Sequence, residues 1–146
     1  MKKRLKGIPR RFKRNPVVVH SRDRLSLPVD RNGKTIKVVI KGKNVYLTTG
    51  EYEDGTLGEI FIKIGKQGEE NAVYDMAAIA ISLGLQYGVP LEVFVNKLEH
   101  QRMESGGVTS DPDLPIVSSI MDWIAKRLRK DFLSADNLDK RPNSPT

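Results

Sequence analysis

Cysteine is absent from this sequence of 146 residues, and long apolar runs are absent as well. Without thiols the chain has no disulfide, no thiolate ligand for zinc or an iron–sulfur cluster, and no thiol-based redox or radical reaction of its own. The longest uncharged run, residues 76–91, is interrupted by Gly84, Gly88 and Pro90, and the N-terminus has no apolar signal-peptide core. We therefore expect one soluble, cytoplasmic domain with tails, without contact to a membrane.

The charge is unevenly distributed along the chain. Lys and Arg number 25 against 18 Asp and Glu, a net charge of +7. Residues 1–24 contain ten basic residues and one acid, a net charge of +9, which leaves −2 for the remainder. This stretch also contains Gly and Pro and has no hydrophobic period, which is typical of a flexible segment. We expect any anionic partner to contact this basic arm, residues 1–24.

Residues 34–64 have the pattern of antiparallel strands. β-branched residues fill 34–40 and 45–49, turn-forming residues lie between them, and the pair Asp54-Gly55 precedes a third strand at 59–64. Residues 50–52 continue the second strand or form a bulge. Tyr46 and Tyr52 suit cross-strand pairing better than base stacking. An exposed edge of this sheet leaves a homodimer open.

Three helices are predicted after the strands, over residues 69–88, 90–101 and 115–132, where apolar residues recur at three- and four-residue steps. The first contains only Asp75 as a charge after Glu70, so we expect it to be almost entirely buried, with Gly88 as its left-handed C-terminal cap. Trp123 lies in the apolar stripe of the third helix and is predicted to be core. The sequence therefore predicts an α+β fold, an antiparallel sheet of three or more strands followed by three helices packed on it.

These elements divide the chain into three parts. The basic arm covers residues 1–24, the α+β domain residues 25–133, and a polar tail, expected to be disordered, residues 134–146.

A Gly-x-x-Gly loop links the third strand to the first helix. Loops of this kind bind phosphate through backbone amides, and KH domains clamp a nucleic-acid backbone with one, so Gly65, Lys66 and Gly68 are candidate phosphate ligands. However, a KH loop joins two helices, and Glu69 and Glu70 in the following turn would repel an anion. A structural strand-to-helix turn is the favoured interpretation.

The sequence shows no catalytic constellation. His20 and His100 have no partner at metal-ligand spacing, so neither predicts a metal site. Four carboxylates within fifteen residues would recruit magnesium if they converged, although solvated loop acids are favoured. These carboxylates belong to Glu99, Glu104, Asp111 and Asp113. We predict no catalytic residue, no metal and no cofactor.

Several segments together resemble the C-terminal region of adenosylcobalamin-dependent, class II ribonucleotide reductases. They are VYLTTG at 45–50, EDGTLGEIFI at 53–62, GKQG at 65–68, LQYGVPLE at 85–92, HQRME at 100–104 and SIMDW at 119–123. The same region, about 24–133, is similar to the TSCPD domain, which occurs appended to such reductases and as a stand-alone protein. That family takes its name from a Thr-Ser-Cys-Pro-Asp motif after a Gly-Gly pair. In this chain Gly106-Gly107-Val108 is followed by residues 109–113, Thr-Ser-Asp-Pro-Asp.

The departures from that family limit the function. Asp111 stands where the family's cysteine would be, so any metal-binding or redox role of that thiol is missing. The catalytic barrel of the reductase and its cysteine-bearing tail have no counterpart in this sequence. The resemblance therefore implies a context in nucleotide and DNA metabolism, and it implies that this chain does not reduce ribonucleotides alone.

Three functions stay open at this stage. The first is a non-catalytic binding module whose basic arm contacts nucleic acid or an acidic protein surface by counterion release. The second is an accessory piece of a split ribonucleoside-diphosphate reductase, acting with a catalytic subunit encoded elsewhere in the synthesis of DNA precursors. The third is a magnesium-dependent nuclease that uses Glu104, Asp111 and Asp113. The candidate anion contacts of the arm are Lys2, Lys3, Arg4, Lys6, Arg10, Arg11, Lys13 and Arg14. The alternative for the arm is a solubilising or expression-derived tail.

Overall fold

A computed structural model describes residues 23–65 and 68–134 of the chain. Its elements, in order, are β1 (Gly33–Ile40), β2 (Lys43–Glu51), β3 (Leu57–Ile64), α1 (Glu69–Gln86), α2 (Leu91–Leu98), β4 (Gly107–Val108), β5 (Ile116–Val117) and α3 (Ile120–Phe132). The predicted α+β class, with an antiparallel sheet followed by three helices, is confirmed. Most of the basic arm and of the polar tail, residues 1–22 and 135–146, lies outside the described residues.

The three long strands form one antiparallel sheet in the order β1-β2-β3. β-branched and aromatic side chains favour this extended backbone, and the register places Leu47 opposite both Ile36 and Ile62. Tyr46 lies opposite Lys37, whose Nζ is 5.9 Å from the centre of the tyrosine ring. The cross-strand pairing predicted for Tyr46 is therefore confirmed.

Glycines allow the backbone conformations that the turns of the sheet require. Lys41 and Gly42 connect β1 to β2 with φ values of 48° and 78°, and a two-residue hairpin with two positive φ angles matches the right-handed twist of its strands. Residues 50–52 are expected either to continue β2 or to form a bulge; β2 extends to Glu51, and the β2–β3 register shifts between Gly50 and Glu51. Gly55, with φ of 83°, lets the chain reverse before β3.

Helix α1 lies along the edge strand β3 and bonds to its backbone. Ser82 Oγ accepts from the Ile60 amide at 2.9 Å and is 3.2 Å from the Ile60 carbonyl oxygen, to which it donates. Asn71 accepts from the backbone of β3 near one end of the strand, and Gln86 donates to it near the other. These bonds occupy backbone groups of Gly58, Ile60 and Ile64 through which an edge strand would recruit another chain. A homodimer formed through the edge of β3 would have to displace α1.

The expectation that α1 is almost entirely buried is wrong. Its inner side, with Tyr74, Ala78 and Ile81, belongs to the core. Because the helix flanks the edge of the sheet and does not cross its face, the opposite side remains exposed although it is also apolar. The apolar side chains there are 40–61% exposed: Val73, Met76, Ile79, Leu83 and Tyr87.

Helix α1 ends at Gln86, two residues before the predicted bound, and the predicted Gly88 closes it. Gly88 has φ of 93°, and its amide donates to Leu85 O at 3.1 Å while the Val89 amide donates to Gly84 O at 2.9 Å. This pair of bonds is a Schellman motif, which satisfies the last carbonyls of the helix. The C-terminal cap predicted at Gly88 is confirmed.

Two other helix boundaries differ from the prediction by three residues or more. Helix α2 ends at Leu98 and not at 101, because Glu99 is extended and His100 has φ of 64°. Helix α3 begins at Ile120 and not at 115, because residues 116–117 form β5 and pair with β4. Ser119 is the N-cap and accepts from the Asp122 amide at 2.9 Å. The apolar residues of β5 lie in phase with the apolar stripe of α3, so the sequence pattern alone did not reveal that the helix begins at Ile120.

The core lies between one face of the sheet and the apolar stripe of α3. Trp123, predicted to be core, has no exposed surface, and Ile124 and Leu128 pack with it. Alternating residues of all three long strands contribute to the same cluster, among them Val38, Val45, Leu47, Ile60 and Ile62. This packing leaves the two ends of the sheet to loops, where the candidate sites lie.

Candidate functional site

The 109–113 loop lies at the end of the sheet that carries the β1–β2 turn, here called the hairpin end. Thr109 forms a bridge with Ile40, and the Ser110 amide donates to Val39 O at 2.9 Å while Ser110 Oγ accepts from the Val39 amide at 2.8 Å. Thr109 Oγ1 also donates to Leu114 O at 2.5 Å and accepts from the Asp111 amide at 3.0 Å. Hydrogen bonds of Thr109 and Ser110 thus attach the loop to β1 and stabilise its own conformation.

Asp111, at the position of the family's cysteine, supports the core. The residue is buried, at 8% relative exposure. One carboxylate oxygen accepts from Trp123 Nε1 at 3.0 Å and lies 3.7 Å from the Arg127 guanidinium, and the other accepts from the Asp113 amide at 3.0 Å. A buried indole N–H needs such an acceptor. The expectation of a solvated acid is therefore wrong for Asp111.

Asp122 is a second buried carboxylate at the hairpin end, which sequence reasoning missed. It is fully buried and accepts from the His100 amide at 2.6 Å, the Ser118 amide at 2.9 Å and Lys126 Nζ at 3.1 Å. Burial alone would raise the pKa of Asp122, but the two amides and the ammonium outweigh it and lower the pKa below its ordinary value. The signal that was available is the Ser119-x-x-Asp122 spacing at the start of a helix.

The four carboxylates considered for magnesium do not converge. Asp113 pairs with Lys130, which lowers the pKa of Asp113, and Glu99 binds Arg129 at 2.6 Å. Over residues 23–65 and 68–134, no group of three or more metal-ligating side chains could hold an ion. The geometry gives the nuclease hypothesis no support.

The opposite end of the sheet contains a cleft of about 920 Å³. Its walls come from the first described residues, the turn between β2 and β3, the junction of α1 and α2, and the end of α3. Leu57, Leu85, Leu91 and Phe132 are among its apolar lining residues. Six acids also line it, Asp23, Glu51, Glu53, Asp54, Glu92 and Asp131, whereas no Lys or Arg of the described residues does. We call this site the acidic cleft.

Several acids of the acidic cleft interact with neighbours, among them Glu92 with Arg129. Asp131 lies 2.8 Å from Lys34 Nζ and 3.0 Å from Arg127 Nε. Burial works to raise the pKa of Asp131, and bonds to these two cations overcome it and lower the pKa. Asp54 accepts from Thr56 Oγ1 and from the Thr56 amide, which lowers the pKa of Asp54.

Glu51 and Glu53 differ from these acids. Within the described part of the chain neither is in an ion pair. Tyr52 between them does not make the predicted cross-strand pair; its hydroxyl donates to Leu25 O at 2.6 Å, and burial raises the pKa of Tyr52. The acidic cleft therefore has an excess of negative charge, and its chemistry suits a cationic, partly apolar ligand.

The Gly-x-x-Gly loop has the geometry of a strand-to-helix connection. The Gly65 amide donates to Asn44 O at 2.9 Å, and Gly68 is the residue before α1 with φ of 164°, an extended backbone. Glu70 in the first turn binds Lys43 Nζ at 2.9 Å. Lys66 lies outside the described residues, so phosphate binding by this loop stays a prediction.

The basic residues predicted to contact anions lie outside the part of the chain that the structure describes. All eight are at positions 2–14, and His20 lies outside the described residues as well. His100 is described and acts through its backbone amide, which binds Asp122.

Among the helices that the structure describes, none is long and apolar enough to cross a membrane.

Comparison with known proteins identifies similar sequences. A family model described as TSCPD domain matches residues 3–132, a range that begins inside the basic arm. A relative from Streptantibioticus cattleyicolor, named vitamin B12-dependent ribonucleotide reductase, is 45% identical over 118 residues, which cover 80% of this chain and 20% of the relative. Relatives of the same name from Streptomyces clavuligerus and Bradyrhizobium diazoefficiens are 46% and 41% identical over 75% and 83% of this chain.

The similarity is confined to a small part of each relative. The match covers 12% of the protein from Streptomyces clavuligerus and 10% of that from Bradyrhizobium diazoefficiens. The chain thus spans about a tenth to a fifth of the length of the curated relatives it matches. No solved structure matches the chain.

Proposed function

This chain belongs to the TSCPD domain family, and from that premise we propose that it is a non-catalytic accessory module of nucleotide metabolism whose basic arm contacts nucleic acid. The observation that carries this proposal is the division of charge, +9 over residues 1–24 and −2 over the remainder. Nucleic acid rather than an acidic protein is proposed, because a phosphate polymer rewards a dense run of cations without requiring a fold. The cytoplasm is the compartment we propose for it.

The family match strengthens the case for the arm. The matched range includes most of the basic arm, from residue 3 onward. A segment within the range of the family model is better explained as part of the protein than as an expression-derived tail. The bonds of Asp111, Asp113 and Asp122 within the domain support a non-catalytic role, because these carboxylates already have structural partners.

The salt dependence of binding tests this proposal. In the full chain, Lys6→Gln/Arg10→Gln/Lys13→Gln is compared with a matched control in the domain, Lys63→Gln/Lys97→Gln/Arg102→Gln. Removing one bond to a phosphate should reduce the slope of log affinity against log salt by about 0.9 for duplex DNA and about 0.7 for a single strand. We expect the arm variant to bind single- and double-stranded nucleic acid more weakly and with a smaller slope.

The three control positions lie outside the arm, and none of their side chains has an ion pair within residues 23–65 and 68–134. The control should therefore match the unmodified chain. Equal losses in both variants, or affinity that ignores salt, would refute a specific role of the arm. Binding of the unmodified chain to an acidic protein but not to nucleic acid would assign the arm to the other class of partner.

A second candidate function is favoured by the relatives themselves. Their name is vitamin B12-dependent ribonucleotide reductase, and they are 41–46% identical to this chain over the aligned region. The chain would then act as an accessory piece of a split reductase, together with a catalytic subunit encoded elsewhere. Because its sequence contains no cysteine, the thiol chemistry of ribonucleotide reduction would belong to that subunit.

Reconstitution distinguishes this candidate from the first. A cobalamin-dependent catalytic subunit from the same genome that lacks a TSCPD domain is assayed with and without the full chain. The split-reductase candidate predicts higher activity when the chain is added, and the same gain with Lys6→Gln/Arg10→Gln/Lys13→Gln, because the domain and not the arm would make the contact. No gain, or a genome without such a subunit, would count against it.

A further inference from the structure

The acidic cleft is a receptor for positive charge that lies where the described chain begins. Asp23, the first described residue, lines it together with Glu51 and Glu53. Asp131 pairs with Lys34 and Arg127, and Glu92 interacts with the charge of Arg129. Glu51 and Glu53 have no ion pair within residues 23–65 and 68–134. The cleft also contains apolar surface, so it suits a segment that combines cations with an apolar or aromatic side chain.

The chain is fixed at the wall of this cleft at the junction of the basic arm and the domain. The Leu25 amide donates to Gln86 O at 3.0 Å, and Arg24 Nε donates to Gln86 Oε1 at 2.5 Å. The Tyr52 hydroxyl holds Leu25 from the other side through its carbonyl oxygen. The basic arm is therefore tethered to the domain at the edge of the acidic cleft, which gives the arm a high local concentration there.

We propose that the basic arm docks in the acidic cleft of its own chain, with the cationic stretch around Phe12 as the occupant. Arg14 is nine residues before Asp23, and nine extended residues span up to about 30 Å. The arm can therefore turn back into the cleft. Phe12 is flanked by Arg10, Arg11 and Lys13. This stretch therefore supplies cations to pair with Glu51 and Glu53, and an aromatic ring to pack against the apolar lining.

Docking in cis has a consequence for any other anion that the arm binds. Cations held by the cleft are unavailable to an external partner, so a polyanion must compete with Glu51 and Glu53 for them. Both associations are electrostatic and weaken as salt shortens the range of the charges. The docking itself does not rest on the proposed nucleic-acid function and can be measured without nucleic acid.

Paramagnetic relaxation in the full chain tests the proposal. Because the chain has no cysteine, Asn15→Cys provides one attachment site for a nitroxide in the arm. The amide signals of Gly55 and Gly88, which line the cleft, should lose intensity. Those of Gly42 and Gly107 at the hairpin end should not, since Gly42 lies in the β1–β2 turn and Gly107 precedes Val108, whose carbonyl oxygen accepts from the Lys41 amide.

Charge variants identify the contact. Glu51→Gln/Glu53→Gln should reduce the loss of intensity at Gly55 and Gly88 to the level expected of a tethered but undocked arm, and so should about 0.5 M NaCl. The matched control is Asp75→Asn/Glu104→Gln, which removes the same charge from exposed positions outside the cleft. This control should keep the full effect. No loss at Gly55 and Gly88 in the unmodified background, or equal effects of both charge variants, would overturn the proposal.

A mixing experiment separates the chain's own arm from that of a second copy. Isotope-labelled chains without nitroxide are mixed with unlabelled chains that carry it. Docking in cis predicts no loss of intensity in the mixture. Loss at Gly55 and Gly88 in the mixture would make a second copy the occupant and would overturn docking in cis.

Discussion

Carboxylates at the two ends of the sheet differ in their burial and in their bonding partners. At the hairpin end, Asp111 and Asp122 are buried, and each accepts hydrogen bonds from at least one backbone amide and from a neighbouring side chain. At the cleft end, Glu51 and Glu53 face a cavity lined by further acids, without an ion pair inside the described part of the chain. The difference indicates that the 109–113 loop, which contains the family's motif, has a structural role in this chain. The carboxylates of Glu51 and Glu53 at the opposite end are instead accessible to a ligand.

The physical basis of this contrast is the cost of burial. A carboxylate removed from water needs hydrogen bonds and a counter-charge, or it destabilises the fold by several kcal/mol. Asp111 and Asp122 meet this requirement and hold together the loops between α2 and α3. Glu51 and Glu53 line an open cleft where water can solvate them, so we expect the stability of the fold not to depend on their charge. Four predictions test this contrast, in order of decreasing effect.

The largest effect is expected from Asp122→Ala. Removing this carboxylate leaves the amides of His100 and Ser118 without their acceptor and Lys126 without its anion. The free energy of unfolding should fall by about 3 kcal/mol, measured by urea denaturation. Asp122→Asn, which keeps one acceptor oxygen, should lose less. A loss below about 1 kcal/mol for Asp122→Ala would mean that the hairpin end is no more dependent on its acids than the cleft end.

A smaller effect is expected from Asp111→Cys, which restores the residue of the family motif. The thiol is a weak acceptor, so Trp123 Nε1 loses a charged partner and the Arg127 guanidinium loses a neighbouring anion. The free energy of unfolding, measured by urea denaturation, should fall by about 2 kcal/mol.

A double-mutant cycle with Trp123→Phe isolates the bond to the indole. Since phenylalanine has no N–H to satisfy, Asp111→Cys should cost about 1 kcal/mol less in that background. Equal costs in both backgrounds would assign the role of Asp111 to the 109–113 loop and not to the core.

Acid should weaken the hairpin end through Asp122. Its folded-state pKa is lowered from the ordinary value of 3.8, so the folded protein binds this proton less readily than the unfolded chain. The stabilisation is complete above the ordinary pKa and is lost as the pH falls from there through the folded pKa. Urea denaturation between about pH 5 and pH 2 should therefore show a steeper loss of stability for the unmodified chain than for Asp122→Asn. Parallel curves would contradict a lowered pKa at this site.

The sheet was predictable from the sequence because its signals are local. β-branched runs, the turn at Gly42 and the Asp54-Gly55 pair each determine the backbone within a few residues. Gly88 was predictable as a cap for the same reason. The family followed from collinear segments spread over the domain, and the match to the TSCPD model confirms it.

The placement of α1 was not predictable, because it depends on which part of the sheet the helix contacts. An apolar period shows that a helix has a face to bury, but α1 is apolar on both sides, and its bonds to β3 through Ser82 and Gln86 come from residues without a distinctive pattern. The pairing of Asp111 with Trp123 was missed for a similar reason. A hydrogen bond between a loop acid and a core indole depends on tertiary packing, which no spacing along the chain encodes.

The smallest effect on stability is expected from Glu51→Gln/Glu53→Gln. If the cleft end does not need these charges, the free energy of unfolding should change by less than about 0.5 kcal/mol. The measurement belongs in about 0.5 M NaCl, where screening removes any contribution from a docked arm, and beside the matched control Asp75→Asn/Glu104→Gln. A loss above about 1 kcal/mol in the cleft variant alone would make Glu51 and Glu53 structural, like Asp122, and the contrast between the two ends would fail. Unchanged stability together with loss of arm docking would instead separate the two roles, because the same substitutions would remove a binding surface while leaving the fold intact.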